Sequence, residues 1–473
     1  MKVLLLNPPD FNMIKTNFPD ELEGEEKTGY NPPLGLLYVA AYAAAHTNFE
    51  IEVLDTQVEE LGYAEIKNEI IRRKPDIVGI QTMTFTLIDV IRLAKIIKEI
   101  NKDTIIVLGG PHVNIFPEET ITLSEIDFLV LGEGEIPFTE LITGLDNHND
   151  LTLIKGLVFK NGEAIVNTGP RPLIENLDEL PHPARNLIPI QKYWSVLARR
   201  NPVTTIMTSR GCPYKCIFCD RPHLGKLFRC RSAKNVVDEM EECLNLGIKE
   251  FILYDDTFTV DRQRVLDICA EITIRKLDLF WDVRARVNLV DLEMLEKMKA
   301  AGCDRIHFGV EAGNNQILKV LKKGITVSQV ETAFKAARKV GITTLAYFML
   351  GNPTETKDQM QETISFAKKI RADFVHISLT TPFPATELYR RGLSQGIIKQ
   401  DYWKDFALNP SPDFIPPLWE EHLNREELFG MLRYAYKEFY FRPHYILHQI
   451  LKTKSWNEFK RKARAGLKML KMR

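Results

Sequence analysis

Short apolar runs recur along this chain at the spacing of strand–helix–strand units, and nearly every run ends in glycine, proline, a hydroxyl residue or a charge. In the first half the runs lie at 3–6, 51–54, 76–80, 104–108 and 128–131, with amphipathic stretches at 38–45, 64–73 and 88–100 between them. Parallel neighbours need crossover helices, so this alternation predicts an α/β domain over residues 1–146 built on a doubly wound parallel sheet. Such a sheet binds ligands outside the carboxyl ends of its strands. Those ends carry Asn7-Pro8-Pro9, Asp55, Thr82 and Thr84, Gly109-Gly110 with His112, and Gly132-Glu133-Gly134-Glu135. Glycine there lets backbone approach a large ligand.

Residues 147–202 read as a connection, with a hairpin turning at Asn161-Gly162 and a proline-rich linker over 172–202 laid on the surface. The alternation resumes over 203–392, with runs at 203–208, 250–254, 280–283, 305–310, 344–350 and 374–379. Again polar or special residues cluster at one strand end: a cysteine loop, Asp255-Asp256, Arg284, Glu311, Gly351-Asn352 and Thr380-Thr381. Function gathered at one strand end in every repeat is the habit of β/α barrels, and six units predict a partial, open (β/α)6 barrel. Residues 393–473 read as a helical tail, aromatic-rich and basic at its end.

Bulk properties exclude several classes. A formal net charge of −1 gives no nucleic-acid signature. No apolar run reaches the roughly 18 residues of a membrane span, and the opening Met1–Leu6 run, stopped by Asn7-Pro8-Pro9, reads as a strand and not a signal peptide. Seven cysteines, three within eight residues, argue against a disulfide framework. They point to a reducing cytoplasm and metal-ligating thiols.

The sharpest chemical signal is Arg210-Gly211-Cys212-Pro213-Tyr214-Lys215-Cys216-Ile217-Phe218-Cys219, a C-x3-C-x2-C run just after the first barrel strand. Thiolates are soft ligands suited to iron–sulfur clusters. Three on one loop can hold three irons and leave a fourth open to a substrate. The bland alternative is a structural zinc site completed by His223 or Cys230, although such sites usually draw ligand pairs from two loops. Cys243, Cys269 and Cys303 read as small buried hydrophobes.

This run, with Phe218 at the aromatic position, resembles the signature of the radical S-adenosylmethionine superfamily. Tyr254-Asp255-Asp256-Thr257-Phe258, Gly309-Val310-Glu311-Ala312-Gly313 and the segment from Met349 through Gly351-Asn352 to Thr356 are similar to that family's second-, fourth- and fifth-strand motifs. Together with the N-terminal domain, now readable as flavodoxin-like, the chain resembles the cobalamin-binding branch, which includes anaerobic magnesium-protoporphyrin ester cyclases and methyltransferases. The resemblance implies a 4Fe–4S cluster on Cys212, Cys216 and Cys219 that chelates S-adenosylmethionine and cleaves it to a 5′-deoxyadenosyl radical. It implies cofactor contacts at Phe218, Asp255, Asp256, Glu311, Gly351 and Asn352. A cobalamin would lie against Thr82, Thr84, Gly109, Gly110, His112, Glu133, Gly134 and Glu135. None of the ten histidines sits in the D-x-H-x-x-G pattern that supplies a lower axial base, which argues against histidine-on cobalt.

Other readings of single residues stay open beside these. The Asp255-Asp256 pair suits a turn capping the next helix, Glu311 suits an ion pair with Arg284 or Arg305, and Arg231 suits either a cofactor carboxylate or solvent. The preferred reaction is methylation of an unactivated carbon of a biosynthetic substrate. The alternatives are a cobalamin-dependent radical cyclase or oxidoreductase, and a non-catalytic cobalamin or metal sensor. Expected partners are a small-molecule or lipid-like substrate and an electron donor such as flavodoxin or ferredoxin, with no nucleic acid. From Lys452 to Arg473 six lysines and three arginines face the single acid Glu458. That segment suits either a solvated helix docked on the barrel or a peripheral contact of a cytoplasmic protein with the inner face of a membrane.

Overall fold

The computed structural model describes residues 1–15, 17, 29–220 and 225–452. Its first sheet holds seven strands: β1 (Lys2–Asn7), β2 (Glu50–Asp55), β3 (Ile77–Gln81), β4 (Ile105–Gly109), β5 (Phe128–Val130), β6 (Leu157–Asn161) and β7 (Ala164–Asn167). Their spatial order is β2-β1-β3-β4-β5-β6-β7. The first five run parallel in the flavodoxin-like order, with the topological switch between β1 and β3. Val3 and Leu5 enter the apolar cluster on one face, Leu4 and Leu6 the cluster on the other. Burial on both faces is why these strands read as unbroken apolar runs.

The hairpin expected at Asn161-Gly162 forms, but it extends the sheet antiparallel from β5 instead of standing apart in a linker. The proline-rich segment also departs from the expectation. It is wedged into the body of the protein, burying Leu177, Leu180, Arg185, Ile188 and Tyr193. The Tyr193 hydroxyl donates to Asp55 Oδ2 at 2.8 Å. The segment's richness in proline is what reads as a linker in the sequence.

The second sheet contains β8 (Val203–Ile206), β9 (Glu250–Leu253), β10 (Phe280–Ala285), β11 (Cys303–Glu311), β12 (Thr343–Leu350) and β13 (Phe374–Leu379), parallel and in sequence order. Phe251, Trp281, Val283, Phe308 and Phe348 face the surrounding helices and are buried. The alternate residues face the lumen. The sheet does not close: β8 and β13 are its two edges. Helix Arg425–Tyr440, started by a capping box at Asn424 and Glu427, covers the β13 edge. Tyr436 and Tyr440 each place a hydroxyl on that edge. Tyr436 bonds the amide and carbonyl of Ile377, both at 3.0 Å, and Tyr440 those of Val375 at 3.1 and 2.8 Å. The aromatic stretch of the tail is thus an edge seal. A last helix runs over Pro443–Lys452. The basic segment after Lys452 and the candidate ligand His223 lie outside the described residues.

Candidate active site

The chain leaves β8 and makes a two-residue ribbon, Ser209–Arg210 against Arg229–Cys230, which closes the neck of the cysteine loop. Gly211, at φ +82°, turns the chain into the loop, a conformation suited to glycine. Backbone bonds then pin the loop to the barrel: Ile217 N donates to Leu321 O at 3.1 Å and Leu388 N to Ile217 O at 2.8 Å. Cys212 is buried, Cys216 half-buried and Cys219 exposed, and none forms a disulfide. Cys212 Sγ lies 3.8 Å from Thr257 Oγ1. Arg286 Nη1 lies 3.6 Å from Cys216 Sγ, with its guanidinium 3.8 Å from the Tyr214 ring centre.

Soft donors on one loop, backed by a hydroxyl and a guanidinium that offset thiolate charge, fit an iron–sulfur cluster. Burial pushes the Cys230 thiol up, away from the thiolate a metal ligand must be.

Asp255 is buried, and its carboxylate is fully employed. Oδ1 accepts from Thr208 N at 2.6 Å and Ser209 N at 3.2 Å, and Oδ2 from the Thr208 and Ser209 hydroxyls at 2.5 and 2.6 Å. It braces the entry to the cysteine loop and does not cap the next helix, whose N-cap is Asp261. Asp256 is exposed at the same strand end.

Glu311 pairs with neither arginine expected for it. Its partner is Lys323, whose Nζ lies 2.6 Å from Oε1, both side chains being buried. Arg305 instead pairs with Asp282 at 3.1 Å. Gly309 makes room for the Glu311 pair, since a Cβ there would sit 2.6 Å from Glu311 Oε1 and 2.7 Å from Lys323 Nζ. Lys323 Nζ also lies 5.7 Å from the Phe218 ring centre, so Phe218, Glu311 and the loop come together. At the next strand end Gly351 has φ +75°. Asn352 turns its side chain inward, donating to Glu355 Oε2 and accepting from Thr380 Oγ1 at 2.9 Å. Burial raises Glu355 to about 7 against the opposing hydrogen bonds from Asn352.

On the first sheet, Thr82, Thr84, Gly109, Gly110 and His112 gather at the ends of β3 and β4. Thr82 N donates to Gly109 O at 2.7 Å and His112 N to Thr82 O at 3.1 Å. His112 Nδ1 lies 3.1 Å from Thr84 Oγ1, its buried Nε2 has no partner, and burial lowers the imidazole to about 3. Glycine is required at 110, where φ is +114° and a Cβ would meet Thr82 O at 2.9 Å. The cofactor contact expected at His112 is not offered by its side chain, which is fully buried; the backbone of the half-buried Gly109 and Gly110 is what these strand ends present to a large bound group.

Glu133 and Glu135 are placed differently from the other residues of this set: they reach across to the barrel. Arg210 donates to Glu133 Oε1 at 2.8 Å and to Glu135 Oε1 at 2.5 Å, and Arg229 lies 2.9 Å from Glu133 Oε2. Burial alone would raise Glu133, but Arg229, Arg210 and the Ile174 amide hold it below the ordinary carboxylate value. Gly134 between them is the N-cap of helix Glu135–Asp146. Arg231 faces neither solvent nor an open site. It is buried with Arg185 about Glu239 and bonds Met207 O at 3.2 Å. Sequence reading missed Arg286, Lys323 and Arg210 as members of the site. Arg210 had a signal, adjacency to the cysteine run, whereas the other two are brought in only by the fold.

The comparisons agree with this geometry. Residues 206–367 match the model of the radical SAM superfamily, and residues 25–142 that of the B12 binding domain. The chain is 36% identical to an uncharacterized methyltransferase of Pyrococcus horikoshii over 95% of both chains. It is 28% identical to the anaerobic magnesium-protoporphyrin IX monomethyl ester cyclase of Rubrivivax gelatinosus, over 92% of this chain and 78% of the cyclase. In fold it is similar to the radical S-adenosylmethionine methyltransferase TsrM of Kitasatospora setae, solved with cobalamin and a [4Fe-4S] cluster bound. That likeness has a TM-score of 0.69 at 22% identity and covers 84% of this chain and 78% of the other.

Proposed function

This chain belongs to the cobalamin-binding branch of the radical S-adenosylmethionine superfamily, and on that premise we propose that it methylates an unactivated carbon of a small biosynthetic substrate. The observation that carries the reading is the Arg210 bridge: the residue two places before Cys212 is held by Glu133 and Glu135 of the first domain. It supports a division of labour in which the two domains present two cofactors to one substrate. Cys212, Cys216 and Cys219 would hold the cluster, and the ends of β3 and β4 the corrin. When bound, these groups supply the electron that cleaves S-adenosylmethionine and the methyl group that is transferred. The protein's own work is placement. Asp255 fixes the loop entry, Arg286 offsets charge at Cys216, and Glu311, braced by Lys323, keeps Oε2 as an acceptor for cofactor hydroxyls or ammonium.

Protein prepared without oxygen should hold about four irons per chain and a corrinoid. Replacing the three cysteines by Ala should abolish iron and S-adenosylmethionine cleavage together. Retained zinc with no iron would overturn the reading. The identity to the cyclase favours a second reading, radical cyclisation. S-adenosylhomocysteine formed beside 5′-deoxyadenosine marks methyl transfer, and its absence during turnover marks cyclisation.

A small-molecule substrate and a one-electron reductant follow from the family. We assign the reductant role to a flavodoxin or ferredoxin and the compartment to the cytoplasm. Among the described residues no helix is long and apolar enough to cross a membrane. Helix Pro443–Lys452 exposes Ile446, Leu447, Ile450 and Leu451 just before the basic segment, which supports peripheral contact with an anionic bilayer. Full-length protein should co-sediment with anionic liposomes at low salt, and a version ending at Leu451 should not. Equal behaviour of the two would remove this role.

A further inference from the structure

We propose that the barrel lumen carries a subsite for an oxyanion of the substrate, a carboxylate or a phosphate, built from Arg284, Tyr254, His307, Tyr347 and His376. It rests on the reading that this barrel acts on a small molecule, and it names a class for that molecule.

Barrel interiors are ordinarily packed with branched aliphatic side chains. Here a polar row crosses the lumen instead, running from the carboxyl ends of β9 and β10 to inner positions of β11, β12 and β13. Leu253 pairs with Val283, which sets Tyr254 beside Arg284. Arg284 pairs with His307 and Tyr347 with His376. The side chains follow the register. The Arg284 guanidinium lies 4.2 Å from the Tyr254 ring centre. His307 Nδ1 is 3.0 Å from the Tyr347 hydroxyl, and the Tyr347 and His376 rings are 5.6 Å apart.

Charge singles out Arg284. Each neighbouring lumen cation has a counter-group: Arg305 has Asp282, Lys323 has Glu311, and Arg286 has the Lys323 carbonyl and Cys216. Glu250 and Asp304, at the far end, are taken up by the Arg199 and Arg200 amides and by the Arg199 side chain. Arg284 is half-buried, lies against the face of Tyr254 and hydrogen-bonds the Tyr347 side chain; Asp282 attracts it, but no carboxylate of the described residues lies in ion-pair contact with it. Beside it His307 Nε2, 3.8 Å from Asp282 Oδ2, is buried without a hydrogen-bond partner. A half-buried cation that faces a lumen, with no carboxylate in contact, favours an anionic ligand there.

The row is also well placed. Arg286 lies one residue past β10 in extended backbone and two residues after Arg284, so the two lie on one side of the chain about 7 Å apart. Arg286 touches Cys216 Sγ. A substrate anchored by its oxyanion at Arg284 therefore extends its carbon skeleton toward the cysteine loop.

Phenyl phosphate and benzoate are the probes, with benzyl alcohol as the neutral control, titrated into full-length protein reconstituted without oxygen. Binding is followed by calorimetry and by the histidine ring signals in NMR. At least one anion should saturate the protein and shift the His307 ring, while benzyl alcohol does neither. Phosphate alone identifies a phosphate ester, benzoate alone a carboxylic acid. Arg284→Gln should weaken binding at least about tenfold, with Arg284→Lys between. The proposal is overturned if neither anion binds, or if Arg284→Gln binds as tightly as the unaltered protein. Should Arg284→Gln fail to fold, the His307 shift in the unaltered protein decides. Iron content and S-adenosylmethionine cleavage on the same preparation report on the radical reading separately. Iron and cleavage without anion binding sink only the subsite, and anion binding without iron sinks only the radical reading.

Discussion

Arg210 donates to Glu133 across the domain boundary at 2.8 Å, with both side chains buried, and Cys212 follows two residues later. The cysteine loop thus hangs from a charge cluster whose acids belong to the first domain. Removing one partner of a buried pair strands the other and costs about 3–5 kcal/mol. Arg210→Met should therefore lower the unfolding free energy from urea titration by that order and reduce corrinoid and iron retention together. Glu135→Gln, which keeps Glu133 for Arg210, should cost less. Loss of iron with corrinoid retained in full would show that the bridge does not couple the two sites.

Asp255 gives a sharper test of positioning, since its carboxylate accepts four bonds at the loop entry. Asp255→Ala leaves the Thr208 and Ser209 amides unsatisfied in a buried place, at about 1–3 kcal/mol each. Iron bound after anaerobic reconstitution should fall by more than half while far-ultraviolet circular dichroism is kept. Full iron occupancy in this variant would refute the bracing role.

The strands and the cysteine loop were legible because each is local: a run, a period, a spacing. The ends of β3 and β4 were legible too, because ligand ends of parallel strands follow from topology. What could not be read was pairing over long separations. Glu311 finds Lys323 and not Arg305, because Asp282 on the neighbouring strand claims Arg305. Glu133 and Glu135 look like loop residues of one domain until the fold brings Arg210 and Arg229 onto them. The tail aromatics have helical spacing, which says that they share a face but not that their hydroxyls seal a strand edge.

That seal can be measured. Tyr436→Phe and Tyr440→Phe each keep the ring and delete one hydroxyl that serves both an amide and a carbonyl of β13. Each should cost about 1–3 kcal/mol in urea unfolding. The double variant should also aggregate faster, having an unpaired strand edge. Stability and solubility unchanged in the double variant would mean that water replaces the hydroxyls without penalty.

Glu355 predicts a pH dependence whose sign follows from its environment. Burial raises it from 4.5 to about 7, against the hydrogen bonds from Asn352, Gly351 and Thr363. The folded chain therefore keeps this proton to higher pH than the unfolded chain does. The associated stability is complete below about pH 4.5 and is lost as pH rises through about 7. The full span is at most about 3 kcal/mol. Glu355→Gln cannot ionise, and its amide carbonyl can still accept from Asn352. Relative to the unaltered protein, the variant should gain stability between about pH 5 and about pH 7 and level off above that. Urea midpoints across that range measure the difference, in which the other carboxylates cancel. Two curves that run parallel would show that Glu355 titrates in the folded protein at its ordinary value.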